Sequence, residues 1–233
     1  MTHKIDNAIV MAAGLSSRFS QSAQGKPKAL AAVKGEILLE RQIRQLLDAG
    51  IPEIYLVTGH RAEQFTYLED LFPIHLVHNA DYRERNNNGS IYAVRDVLQN
   101  SYICSADNYF VHNPFEPEAE ASYYAAVYAE GQTPEWCLVL DEEEYIQGVT
   151  IGGQNSWYMY GHTFWDEDFS RRFVTILDEV YEKAETRPLL WESIFLQNLD
   201  TLKMKVRKYP ANFIYEFDTV EELKAFDPTF TVR

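Results

Sequence analysis

With 233 residues, 46% of them hydrophobic and 14% aromatic, the chain has the length and composition of one large folded domain with a full core. Its formal net charge of −14 argues against a nucleic-acid or anionic-membrane partner, since both require a basic surface. The two cysteines, Cys104 and Cys137, each lie in an apolar stretch, which fits small core residues in a reducing compartment better than a disulfide or a thiolate metal site.

The first predicted element is a buried parallel strand over Ala8 to Met11. It gives way at once to Ala12, Ala13, Gly14, Ser16 and Ser17, and then to Arg18. Small residues after a strand let backbone N–H groups approach and point at a ligand, which suits phosphate. Arg18 and Lys28 add a planar fork and a point charge for a polyphosphate. A Walker loop is excluded because Pro27 follows Lys26, and a dinucleotide fingerprint because no glycine lies between Gly14 and Gly25.

Strand and helix patterns then alternate, as in a parallel α/β sheet. Leu38, Leu39, Ile43, Leu46 and Leu47 share one helical face, and Gly50 ends that helix. Strands are expected over Glu53 to Thr58, Ile74 to His78 and Tyr102 to Ser105, with helices over Arg61 to Leu71 and Ser90 to Leu98. Beyond Pro114 the texture becomes β-rich, with four short strands predicted over Ser122–Tyr128, Trp136–Leu140, Tyr145–Ile151 and Asn155–Tyr160. Asp141 to Glu144 reads as a solvated hairpin tip. Helices follow over Glu167–Lys183 and Leu189–Leu199, then strands near Lys205–Lys208 and Phe213–Phe217, and a last helix from Thr219. The amino terminus has no apolar core of a signal peptide and no run approaches a membrane span, so the expectation is a cytoplasmic protein.

Several residues stand where chemistry is possible. Asp107 follows the fourth strand, where carboxylates point into the ligand crevice of α/β proteins, although Asp107-Asn108 is equally a turn signal. Glu216 and Asp218 are two apart and share a face of an extended segment; Asp218-Thr-Val-Glu221 also reads as a capping box. Asn86-Asn-Asn-Gly-Ser90 offers amides and a hydroxyl to a base edge, or simply a helix cap. His60 fits a surface histidine. Trp136, Trp165 and Trp191 fall in the second half with several tyrosines, and aromatic faces attract quaternary ammonium. Glu192 adds a complementary carboxylate, and core packing is the plain alternative for the tryptophans.

The segment Ala12-Ala-Gly-Leu-Ser-Ser-Arg18 with Pro27-Lys28 resembles the signature of the sugar-phosphate nucleotidyltransferase family, with Ser16 where most members carry glycine. Ala106-Asp-Asn-Tyr109, Glu135-Trp136, Thr163-Phe-Trp165, Trp191 and Ile214-Tyr-Glu-Phe-Asp218 extend the likeness over nearly the whole chain, toward the bacterial choline-phosphate cytidylyltransferases of the LicC type. The resemblance implies a three-layer, Rossmann-like α/β nucleotidyltransferase fold with a mostly parallel mixed sheet and a small β-rich insertion. It implies a single domain over 1–233, with a nucleotide-binding half to about 113 and an acceptor-binding half beyond. The implied reaction joins CTP and phosphocholine to give CDP-choline and pyrophosphate. Its implied residue roles are Arg18 and Lys28 in catalysis, Ala12, Ala13, Gly14, Ser17, Asn87 and Ser90 on the nucleotide, and Trp136, Trp165, Trp191 and Glu192 on the acceptor. Mg²⁺ is the implied cofactor, on Asp107 and Asp218 with Glu216 in reserve. A sugar 1-phosphate, phosphoethanolamine or 2-aminoethylphosphonate acceptor, or a catalytically silent nucleotide-binding regulator, are the alternatives. Oligomeric state is left open.

Overall fold

The computed structural model describes residues 2–15, 19 and 26–231. Its centre is a seven-stranded mixed sheet. Five of its strands are β1 (Asn7–Ala12), β2 (Glu53–Thr58), β3 (His75–His78), β4 (Ser101–Ser105) and β8 (Lys205–Tyr209), separated in sequence by a short β5 (Asn108–Phe110) outside the sheet and by two long strands, β6 (Tyr123–Leu140) and β7 (Ile146–Trp165). The spatial order is β8-β6-β7-β4-β1-β2-β3. The β1–β2, β2–β3, β1–β4 and β6–β8 pairs are parallel, and β7 runs antiparallel to both β6 and β4. This is the mostly parallel mixed sheet that the sequence predicts.

Alternation along β1 divides the core. Ala8 and Val10 point to one face, where α1 (Leu38–Asp48) lays down Leu39, Ile43 and Leu46. Ile9 points to the other, which is covered by Ile91 of α2 (Asn88–Ala93), Phe169, Phe173 and Leu177 of α3 (Glu167–Val180), and Trp191, Ile194 and Phe195 of α4 (Trp191–Leu196). Three layers result. A third, smaller cluster joins Val33 and Tyr109 to Val220 and Leu223 of α5 (Val220–Phe226). Both cysteines are buried and free, and no described helix is long and apolar enough to cross a membrane.

The expected elements differ in three places. The stretch from Arg61 to Leu71 is a 3₁₀ turn (Ala62–Phe65) and a single α-turn (Leu68–Leu71), because Arg61 adopts a left-handed conformation at its start. The helix at Ser90 begins two residues earlier, breaks at Val94 into a 3₁₀ turn and ends by Val97. The four short strands after Pro114 are one long hairpin, β6 with β7. Cys137 is in register with Thr150 in the outer half of this hairpin and with Tyr158 in the inner half, so the outer half folds back over the inner. A Cβ at position 153 would stand 2.8 Å from the Cys137 sulfur, so the doubled layer closes only over Gly153. The Asp141–Glu144 tip is exposed, and its flanks dock on β8 through Ile146 N–H to Met204 O and Val206 N–H to Glu144 O.

Within β7 lies His162, fully buried, with Nε2 3.0 Å from the Tyr123 hydroxyl and the rings of Tyr102, Phe110 and Phe115 around it. Burial, and then the Arg207 charge, push its pKa down from 6.5 to about 3. The unfolded chain therefore binds a proton between those two values that the native state refuses. Stability falls as pH drops through that window, by up to about 1.4 kcal/mol per pH unit. In urea melts at about pH 7.5 and about pH 5, His162→Gln should lose less stability on acidification than wild type. Equal losses would show that His162 does not carry the effect.

Candidate active site

The site forms where chain segments far apart in sequence converge at the carboxyl end of β1. Lys28 opens a 3₁₀ turn, Lys28–Leu30, that follows Pro27 at φ −57°. Ala29 and Leu30 are buried in the core and anchor that turn. Asp107 lies between β4 and β5, and Ala106 N–H donates to Met11 O at 3.1 Å, fixing the segment beside β1. β5 pairs antiparallel with β9 (Ile214–Glu216), with Asn108 opposite Glu216. That register brings the end of the chain to Asp107.

Lys28 Nζ stands 2.7 Å from Asp107 Oδ2 and 3.1 Å from Asp218 Oδ1, with only 11% of its side chain exposed. Burial alone would lower the Lys28 ammonium, but Asp107, Glu216 and Asp218 outweigh it and hold the group above its usual value. The Glu216 carboxyl is pushed up to about 8, first by the Asp107 charge and then by desolvation, against the pull of Lys28. One lysine thus faces three carboxylates. The capping-box alternative for Asp218 moves by one residue: Thr219 is the cap, its Oγ1 accepting from Glu222 N–H, while the Glu222 carboxylate accepts from the N–H groups of both Thr219 and Asp218. Asp218 therefore presents its side chain to Lys28.

A cleft of about 740 Å³ opens beside this cluster, lined by Ala13, Gly14, Lys28, Asp107 and Asp218 at one end. Gly14 faces open space where a Cβ would sit. Ala12 is half-buried at the end of β1. Ser17 and Arg18 lie outside the described residues. Along the wall stand Asn79, Tyr82, Asn87 and Ser90. Ser90 is buried and its hydroxyl accepts from Asn79 Nδ2 at 3.3 Å. The Asn87 side chain is engaged elsewhere: Oδ1 accepts from Trp191 N–H at 2.7 Å, and Nδ2 donates to Glu192 Oε2 at 3.0 Å.

The acceptor candidates separate. Trp165 and Trp191 are 0% and 1% exposed and pack edge-on at 4.9 Å in the core beneath the site. Trp136 is half-buried on the folded-back half of the hairpin, opposite Ile151. None of the three tryptophans lines the cleft. Glu192 is half-buried, accepts from Tyr124 at 3.2 Å, and has a pKa raised by burial. Tyr124 is stacked on Trp191 at 5.7 Å, and burial first, then Glu192, hold its hydroxyl protonated, so it serves as the donor to Glu192. Tyr160 donates no backbone bond but accepts from Glu216 N–H at 2.7 Å, and Tyr158 lies beside it, within reach of the Glu135 and Glu216 charges. Tyr124 and Asn79 were not singled out by sequence, whereas Tyr160 is among the tyrosines around the tryptophans and Glu135 belongs to the Glu135-Trp136 stretch of the resemblance.

Tyr82 reaches the cleft because Gly59 has no side chain. A Cβ there would lie 2.6 Å from Tyr82 Cβ and 2.9 Å from Ala13 O. Gly59→Ala must displace either the tyrosine or the backbone after β1, at a cost of about 1–3 kcal/mol. A urea midpoint for Gly59→Ala equal to that of wild type would show that this contact yields freely.

With this geometry in hand, comparison with known proteins is informative. The MobA-like NTP transferase domain matches residues 8–208. The choline-phosphate cytidylyltransferase of Streptococcus pneumoniae is 34% identical over 220 residues, covering 94% of this chain and 96% of that protein. The 2-aminoethylphosphonate cytidylyltransferase of Lancefieldella rimae is 34% identical over 225 residues, covering 95% and 92%. The solved structure of CTP:phosphocholine cytidylyltransferase (LicC) from Streptococcus pneumoniae superposes with a TM-score of 0.91 at 33% identity, covering 97% of this chain and 99% of that one. The nucleotidyltransferase fold expected from sequence is borne out, and the chain belongs to the MobA-like NTP transferase family.

Proposed function

We propose that this nucleotidyltransferase moves CMP from CTP to phosphocholine, giving CDP-choline and pyrophosphate. The observation that carries the reading is the adjacency of two unlike environments. Lys28 with Asp107 and Asp218 borders the cleft, and Asn87 on the cleft wall is bonded to Glu192, which Tyr124 joins to the aromatic side. The names of the similar proteins support the same chemistry. The two free, buried cysteines are in keeping with the cytoplasm as its compartment.

In this reaction an acceptor phosphate oxygen attacks the α-phosphorus in line as the bond to pyrophosphate breaks. Catalysis is then mostly positioning and charge neutralisation. Arg18 and the N–H groups after β1 hold the triphosphate; Lys28 offsets negative charge building at the α-phosphate. The acceptor's trimethylammonium meets the aromatic side with Glu192, where cation–π attraction is worth about 0.5–2 kcal/mol per ring.

The site suits Mg²⁺. Asp107 Oδ1 is buried and makes no hydrogen bond, Asp218 borders the same cleft, and the raised pKa of Glu216 reflects a crowding of negative charge that a cation would relieve. Among the described residues no cluster of three or more ligands stands ready to hold a metal unaided, as expected where nucleotide phosphates complete the shell. Asp107 and Asp218, with Glu216 beside them, would hold the ion, which when bound screens the phosphate charges.

A second reading keeps the chemistry and changes the acceptor to 2-aminoethylphosphonate, favoured by the second relative and by the carboxylates Glu135, Glu192 and Glu216, which suit a primary ammonium. Pyrophosphate release from CTP with phosphocholine, phosphoethanolamine, 2-aminoethylphosphonate and a sugar 1-phosphate decides between them. Phosphocholine should give the highest kcat/KM; a better rate with another acceptor would sink the choline reading and spare the nucleotidyltransferase.

Lys28→Ala should cut kcat about a hundredfold with an unchanged far-UV spectrum. Asp107→Asn should remove most of the rise in melting temperature that Mg²⁺ and CTP together give wild type. Near-normal turnover in the first variant, or a full Mg²⁺ response in the second, would refute the assignment concerned.

A further inference from the structure

Asn86 and Asn87 line the cleft and Asn88 is buried behind them, yet the side chains of all three turn toward the segment that carries Glu192. Asn86 Nδ2 donates to Pro188 O at 3.2 Å, and Asn88 Nδ2 to Thr186 O at 3.1 Å and to Leu189 O. The backbone joins in, Asn86 N–H donating to Arg187 O at 2.9 Å. Asn87 closes the clasp with both of its polar groups. Its carbonyl accepts from Trp191 N–H at the start of α4, where Leu190 supplies no side-chain cap. Its amide donates to Glu192 Oε2.

Glu192 is thereby held from two sides, Asn87 on Oε2 and the Tyr124 hydroxyl on Oε1. A half-buried carboxylate whose oxygens each accept one directed bond has little rotational freedom left. Hydrogen bonds to a charged group are among the stronger kind, and two of them from different directions select one rotamer. We infer that Asn87 is a positioning residue: it aims the Glu192 carboxylate at the cationic end of the acceptor and makes no contact with the nucleotide base through its side chain. The inference rests on the acceptor reading proposed above. It also ties the two substrates, since the loop that walls the nucleotide cleft is the one that orients the acceptor's counter-charge.

Asn87→Asp separates this role from simple capping. Aspartate keeps an oxygen for Trp191 N–H but sets a second carboxylate where Glu192 had a donor, so α4 stays capped while like charge turns the Glu192 carboxylate away. In steady-state pyrophosphate-release assays the variant should keep the wild-type far-UV spectrum, raise KM for phosphocholine about tenfold, and leave KM for CTP within about twofold. In a Glu192→Gln background the same substitution should add nothing further. With 3,3-dimethylbutyl phosphate, the uncharged isostere, Asn87→Asp and wild type should have equal KM values. Unchanged KM for phosphocholine would reduce Asn87 to a cap and overturn the inference. A rise in KM for CTP instead would place its side chain on the nucleotide and overturn it equally, and so would an equal loss with the isostere. If wild type releases no pyrophosphate with phosphocholine, the functional reading falls first and the inference with it.

Discussion

An ammonium group taken nearly out of water must be paired, and at Lys28 that demand organises the active site. Its partners come from the β4–β5 connection and from beyond β9, so the ion pair is made only when the first and last thirds of the chain are both in place. Breaking a buried pair generally costs about 3–5 kcal/mol, and less where one partner is as exposed as Asp218. The local devices serve this meeting. Pro27 sets the turn that aims Lys28, the Asn108–Glu216 register draws the chain end inward, and the helix cap falls on Thr219, leaving Asp218 to face the lysine. The excess of carboxylate over ammonium is destabilising by itself. Such excess is common where a bound cation and an anionic substrate complete the charge balance.

The doubled-back hairpin solves a different problem. Its inner half supplies two central strands of the sheet, one of which runs antiparallel to β4. Its outer half returns over the same layer and sets Glu135 and Trp136 near Tyr158. One excursion of the chain thus builds both part of the scaffold and the side on which the proposed reading seats the acceptor. The fold-back is possible because Gly131 and Gly152 turn with positive φ and because Gly153 lets Cys137 come close.

What could be read in the sequence follows the range of the interactions concerned. β2 was legible to the residue, since Glu53–Thr58 is an apolar run bounded by Pro52 and Gly59. The long hairpin was not: Gly131, Pro134 and Gly152 are strand breakers locally, and only pairing across the hairpin carries the strands through them. Lys28 and Asp107 were found because a short motif and a strand end mark them. The asparagine clasp was invisible, since each of its bonds joins residues about a hundred positions apart. Asn87 accordingly looked like a base-edge residue from its neighbours alone. The tryptophans show the same limit: aromatic composition signals a place for a cation, but Trp165 and Trp191 lie wholly in the core, and the ring that reaches Glu192 is Tyr124.

On the proposed reading an overall charge of −14 meets two phosphate-bearing substrates, but the charge that a substrate meets is local. Surface carboxylates more than about 8 Å away are screened at physiological ionic strength. Along the cleft the balance reverses, with Lys28, Arg83, Arg85 and Arg187 against Glu84, Asp107 and Asp218. Arg85 is only 4% exposed in its side chain and lies 3.6 Å over the Tyr181 ring, a cation held in place by packing. On the proposed reading a zwitterionic acceptor then has one favourable orientation. Its phosphate turns to Lys28 and the nucleotide, and its cationic end turns to Tyr124 and Glu192. The reverse orientation would set phosphate against Glu192 and ammonium against Lys28, repelling at both ends. On that reading orientation comes from charge placed at two fixed points, Lys28 and Glu192, and owes little to the acidic surface beyond them.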